Sequence, residues 1–213
     1  MTLPEEIKHL TDDLIIAFYE LDEYSQIFSE SEERINLLNH VAPNFFVKLH
    51  ELFWNKFIMT VSRFTDPKDQ NKHQNLSLDV LRNWTDELSQ KNQKIITDNL
   101  LIIKSDAKQI RTFRSKYISH RDLNSVLLDK NNIGTIDLDK IEKIYKLIGD
   151  CLNIFNRHFG GSTVYFRPLI INYGAKSLIR YIKEGAIYDE IKMQRKDFIL
   201  NEKDRISSKF KDS

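Results

Sequence analysis

The chain has 213 residues, of which 41% are hydrophobic and 30% charged, and it carries a formal net charge of +1. This length supports one good-sized core, or a core with an appendage, and the composition excludes a disordered chain. No apolar run approaches the ~20 residues of a membrane span, and Cys151, the single cysteine, excludes an internal disulfide framework.

The first residues, MTLPEEIKHL, are too acidic for a targeting signal, so a cytoplasmic protein with no membrane partner is expected. Six glycines and four prolines are few for a turn-rich β fold, which predicts an all-α chain. From Pro4, a first helix carries the stripe Ile7, Leu10, Leu14, Phe18 and Leu21. Ser29 or Ser31 caps a second helix, and Pro43 interrupts or kinks it. Asn44–Phe64 is apolar nearly all round and is predicted at the centre of a bundle, ending before Pro67. A loop follows over 68–75, and then a helix capped by Ser77 with Leu78, Leu81, Trp84 and Leu88 inside. After a polar interval over 89–94, a long helix buries Ile95, Leu101, Ile102, Ile110 and Phe113. A turn region spans 129–135. Asp137 opens a helix to about His158, closed by Gly160 and Gly161, whose apolar set surrounds Cys151 as an inert buried thiol. Residues 162–171 read as an extended strap, a last helix starts near Ala175, and 192–213 reads as a solvated or frayed tail.

Charge is spread unevenly. Ten acids face two bases from Met1 to Arg34, whereas six bases face one acid between Lys104 and Arg121. The basic patch suits phosphate. Within it, Arg114, Tyr117 and His120 step by three and spread over roughly 120° of one helix surface. A guanidinium and an imidazole there can face one ligand, with Asp122 two residues beyond the histidine. Arg34 and His40 repeat the spacing beside the acidic end and serve as a decoy. There is no Gly-rich phosphate loop and no paired histidine at ligand spacing, so neither metal nor cofactor is expected.

The words RSKYISHRD (114–122), SRFTDP (62–67) and NLSL (75–78) resemble the HEPN superfamily of small helical ribonucleases and RNA-binding domains, and within it the AbiU branch of abortive-infection proteins. The signature is an arginine and, a few residues on, a histidine; Arg114 and His120 fit with five residues between, Ser119 precedes the histidine, and Arg121-Asp122 follow it. The residue after the arginine departs from the usual Asn or Asp and is Ser115. The resemblance covers about 44–122, and nothing after Gly160 is part of it. It implies an antiparallel bundle with a HEPN-like four-helix core and extra N- and C-terminal helices, organised as a bundle over 1–160 and an extension over 161–213 packed on it.

It also implies a metal-independent endoribonuclease, acting in phage defence or as a toxin, that cleaves RNA through the 2′-hydroxyl. Arg114 and His120 are then catalytic, with Arg111, Lys116, Tyr117 and Arg121 binding substrate and Ser115, Asp122, Arg63 and Asp66 in support. For Arg63 and Asp66 a simple helix-end ion pair is the plainer reading. The resemblance further implies a homodimer with a composite active site. Two other readings compete: a non-catalytic RNA-binding module, and a helical interaction protein whose acidic end or C-terminal segment docks a partner such as an antitoxin.

Overall fold

The structure, a computed structural model, describes residues 2–70, 73–115, 136–167 and 174–209. Among them the chain is all-α apart from a minimal hairpin, as predicted. The helices are α1 (Leu3–Phe28), α2 (Glu32–Val41), α3 (Pro43–Thr65), the short α4 (Asp79–Arg82), α5 (Gln90–Phe113), α6 (Leu138–His158) and α7 (Ala175–Lys209). No described helix is long and apolar enough to cross a membrane. The chain forms two compact units, one of 1–24 with 48–170 and one of 25–47 with 171–213.

The first unit holds the four-helix core of α1, α3, α5 and α6. Its directions follow from side-chain pairs. Along α1 and α3, Asp13 meets Arg63, Glu20 meets Lys56, and Tyr24 accepts from Trp54. Along α1 and α6, Leu14 lies against Gly149 and Phe18 against Tyr145. Along α5 and α6, Gln109 takes Lys140 and Asp106 takes Lys143. In each series one partner advances as the other recedes, so each pair is antiparallel. The α1 stripe is buried from Leu3 through Ile7, Leu10, Leu14, Phe18 and Leu21 to Tyr24.

Helix α6 is the best-specified element. The Asp137 side chain accepts from the Lys140 N–H at 2.7 Å, capping its start. At its end Gly160 has φ +78°, and Gly161 donates to the Asn156 carbonyl while Gly160 donates to that of Arg157. That pair of bonds is the Schellman arrangement, which needs a left-handed residue and selects glycine. Cys151 is buried, and burial foremost pushes its thiol up to about 12, against a lowering hydrogen bond from Asn99. Residues 161–166 form the strap without joining a sheet. The Asn153 amide bonds both the N–H and the carbonyl of Val164, standing in for a neighbouring strand. Phe166 then stacks on Phe18 with ring centroids 6.0 Å apart. Gly149 leaves room for it, since a Cβ there would lie 2.8 Å from the Phe166 ring.

Several expectations are corrected. The buried stripe of α5 is Ile96, Leu100, Ile103, Ala107 and Ile110, while Leu101 and Ile102 are exposed. Most of the buried residues of α3 lie in its second half, Phe57, Ile58, Val61 and Phe64, with Phe46 buried near its start; Phe45, Val47 and Leu52 are exposed. Residues Asp69–Gln70 and His73–Gln74 pair as a minimal antiparallel ladder inside the expected loop. Ser77 is buried and makes no side-chain cap, Trp84 is exposed, and Ser89 caps α5 earlier than expected. The C-terminal residues are solvated where expected, Ile191–Lys196 being exposed, but they do not fray at 192 and continue as helix to Lys209. The 129–135 turn lies outside the described residues.

In the second unit, Ser31 caps α2 and Pro43 starts α3 afresh. Arg34, the decoy, bonds the Gln26 carbonyl and Glu30, so it ties the α1–α2 turn together.

Two outcomes test this packing. Gly149→Ala should cost about 1–3 kcal/mol of stability in denaturant unfolding, and Phe166→Ala in the same chain should remove most of that cost; additive losses would refute the steric fit. Unfolded Cys151 ionises near 9 but folded Cys151 near 12, so the folded chain holds the extra proton in that window. Stability is therefore complete below about 9 and falls as pH rises toward 12, Tyr145 adding in the same direction because burial raises its hydroxyl. Cys151→Ala should flatten the dependence of the urea midpoint on pH above 9; an unchanged slope would contradict the assignment.

Candidate functional site

The buried stripe of α5 steps by three and four through Ile103, Ala107 and Ile110, and its next position is Arg114. A guanidinium at a core-facing position needs a partner, because a charge taken out of water unpaired is costly. The partner is Asp66, the first residue past α3. Arg114 Nη1 lies 2.7 Å from Asp66 Oδ2, with the two side chains 20% and 14% exposed. Arg111, one turn back, brings Nε to 3.4 Å from Asp66 Oδ1 and donates from Nη1 to the Thr65 carbonyl at 3.4 Å. One carboxylate and the last carbonyl of α3 thus receive two guanidiniums at the negative end of the α3 dipole, where cations are favoured.

Asp66 is itself fixed by its surroundings. Its N–H donates to the Ser62 carbonyl, continuing the helix bond pattern, and Pro67 then ends the helix. The Asn75 amide donates to the Pro67 carbonyl at 2.9 Å, its N–H donates to Lys68, and the Leu78 N–H returns to the Phe64 carbonyl. The segments SRFTDP and NLSL are therefore two sides of one clasp that holds Asp66 in place.

On the solvent side, Arg111, Arg114 and Ser115 line an open groove of about 580 Å³ together with Lys104, Lys108 and Thr112. None of these six lining residues is an acid, so the groove is a cationic surface. Lys104 is paired to Asp79 at 2.7 Å. Helix α5 closes at Phe113, and Arg114 and Ser115 continue in a wider, π-type turn, Arg114 keeping right-handed helical dihedrals. Among the described residues no group of three His, Cys, Asp or Glu is arranged as a metal site.

Of the residues singled out from sequence, Arg111, Arg114, Ser115 and Asp66 come together here. Arg63 does not: it pairs with Asp13 of α1 at 2.7 Å, and Asp66 bridges to Arg111 and Arg114 in place of the expected helix-end pair with Arg63. Lys116, Tyr117, His120, Arg121 and Asp122 lie outside the described residues. Asn75, Lys104 and Lys108 were not singled out as site residues. For the lysines the signal was present in the spacing of Lys104, Lys108, Arg111 and Ser115, which places all four on one side of a helix.

The described residues form a helical bundle, the fold that the resemblance to the HEPN superfamily implies. The chain matches the HEPN_AbiU2 family, described as AbiU2, over residues 3–177, and it belongs to that family. The match extends well beyond the 44–122 segment that carries the resemblance. No curated protein and no solved structure matches the chain.

Breaking the clamp tests the geometry. Asp66→Ala should destabilise the chain by about 1–3 kcal/mol, since it leaves two guanidiniums facing each other without their counter-charge. Adding Arg114→Ala should recover part of that loss, giving a coupling of about 1 kcal/mol in a double-mutant cycle; no coupling would mean that the pair is not formed.

Proposed function

We propose that the protein is a metal-independent endoribonuclease of the HEPN type, with Arg114 and His120 as its catalytic pair and a role in phage defence or as a toxin. The observation that carries this reading is the clamp: Asp66 takes one edge of the Arg114 guanidinium, and the arginine still lines an open groove of basic residues. A guanidinium held on one side and open on the other is pre-organised to donate to phosphate oxygens. Membership of the HEPN_AbiU2 family supports the same reading.

In the reaction the 2′-hydroxyl of RNA attacks the adjacent phosphorus and the 5′-oxygen leaves, giving a 2′,3′-cyclic phosphate and a 5′-hydroxyl. Two proton transfers are needed, one from the attacking oxygen and one to the leaving oxygen. Histidine is the side chain whose ordinary range lies near neutrality, so His120 suits either, a contribution of ~10²–10⁴ in rate. Arg114 stays charged and stabilises the doubly negative phosphorane, worth ~3–4 kcal/mol for a donor of this kind. Arg111, Lys116 and Arg121 hold the backbone, Tyr117 offers a face for a base, and Asp122 orients the imidazole. A homodimer that brings two motifs together supplies two histidines for the two proton transfers.

The purified protein should cleave single-stranded RNA in the presence of chelator and leave cyclic phosphate ends. His120→Ala should lower the rate by at least ~10²-fold with unchanged helicity. Retained cleavage in that variant contradicts the assignment, and RNA binding with no cleavage in the parent protein favours a non-catalytic RNA-binding module instead.

A further inference from the structure

We propose that Lys104 and Lys108 extend the site into a track along α5 that holds successive phosphates of single-stranded RNA on one side of the nucleotide at Arg114. This rests on the RNA-directed reading above and adds to it the path of the substrate. Lys104, Lys108, Arg111 and Ser115 recur at four-, three- and four-residue steps, so they form one stripe beside the buried stripe of the helix. All four line the same groove as Arg114.

From Lys104 to Arg114 the helix rises about 15 Å at 1.5 Å per residue. A stacked nucleic-acid strand advances about 3.4 Å along its axis per nucleotide, so a stripe of this length lies alongside several successive phosphates. A small apolar ligand does not fit a groove lined by four cations, and a lone anion held by Arg111 and Arg114 would leave Lys104 and Lys108, further back along α5, without a role. Attack by a 2′-hydroxyl also needs a nucleotide free to leave helical stacking, which selects a single strand over a duplex.

The pairing pattern distinguishes the track from ordinary surface charge. The nearby acid on α5, Asp106, is engaged by Lys143 of α6, and Gln109 is engaged by Lys140. Lys108 has no ion pair among the described residues, whereas Lys104 is held by Asp79 at 2.7 Å, and Arg82 lies 3.5 Å from the same oxygen. Lys108 is thus available to phosphate at once. Asp79 competes with phosphate for Lys104, so removing its charge should strengthen the track.

The test is binding by the full chain carrying His120→Ala, which removes turnover, to fluorescent single-stranded RNAs of two and ten nucleotides over a salt series. Lys108→Ala should weaken the ten-nucleotide RNA several-fold and reduce the slope of log affinity against log salt by about 0.7, leaving the dinucleotide unchanged. Lys108→Glu should do so more strongly, and Asp79→Asn should tighten the longer RNA. If Arg114→Ala weakens binding while the Lys108 and Asp79 substitutions change neither slope nor length dependence, the track is refuted and the RNA-directed reading stands. If the parent chain and every variant fail to bind, both fall. A preference for duplex over single strand of equal length also overturns the track.

Discussion

An aspartate carboxylate that is 14% exposed and faces two guanidiniums fixes more than its own position. It lets α5 carry an arginine on its core-facing stripe, because the charge placed there meets an opposite charge at 2.7 Å and not hydrocarbon. It ties the end of α3 to the end of α5. It also sets which edge of Arg114 is occupied and therefore which edge is left for a ligand. The clasp from Asn75 to Pro67 and from Leu78 to Phe64 keeps the carboxylate from swinging away. Most of the chemistry assigned to the site depends on this one contact.

The division between legible and illegible parts of the fold has a physical cause in each helix. In α6 a single apolar stripe is separated from polar faces, so periodicity chooses the buried side, and Asp137 and Gly160 mark the ends. In α5 the apolar residues come in adjacent pairs, Ile95 with Ile96, Leu100 with Leu101, and Ile102 with Ile103, so its first turns offer two candidate stripes. The stripe that continues apolar through Ala107 and Ile110 is the buried one, and Asp106 and Gln109 beside it meet the lysines of α6. The first half of α3 misleads for the opposite reason. Its apolar residues are real, but Phe45, Val47 and Leu52 remain at the surface.

At the site, the sequence identified Arg114 and the two segments that hold it, and it did not reveal how they meet. Asp66 and Arg114 are 48 residues apart, and no local spacing relates them. Arg63 lies three residues from Asp66 and invited a pairing with it, yet its helical position points it to Asp13 of α1. The exposed apolar residues of α7, Ile187, Tyr188 and Ile191 among them, lie beyond the family match, which ends at 177.

The most direct measurement is single-turnover RNA cleavage by Asp66→Asn, with chelator present, over a range of RNA concentrations. Asparagine keeps the shape of the side chain and removes the charge that orients Arg114. The maximal rate should fall about 10–100-fold, as for misplacement of a catalytic group, with the concentration giving half-maximal rate nearly unchanged. A rate equal to that of the parent protein, or one raised by release of the guanidinium, would contradict the orienting role of Asp66.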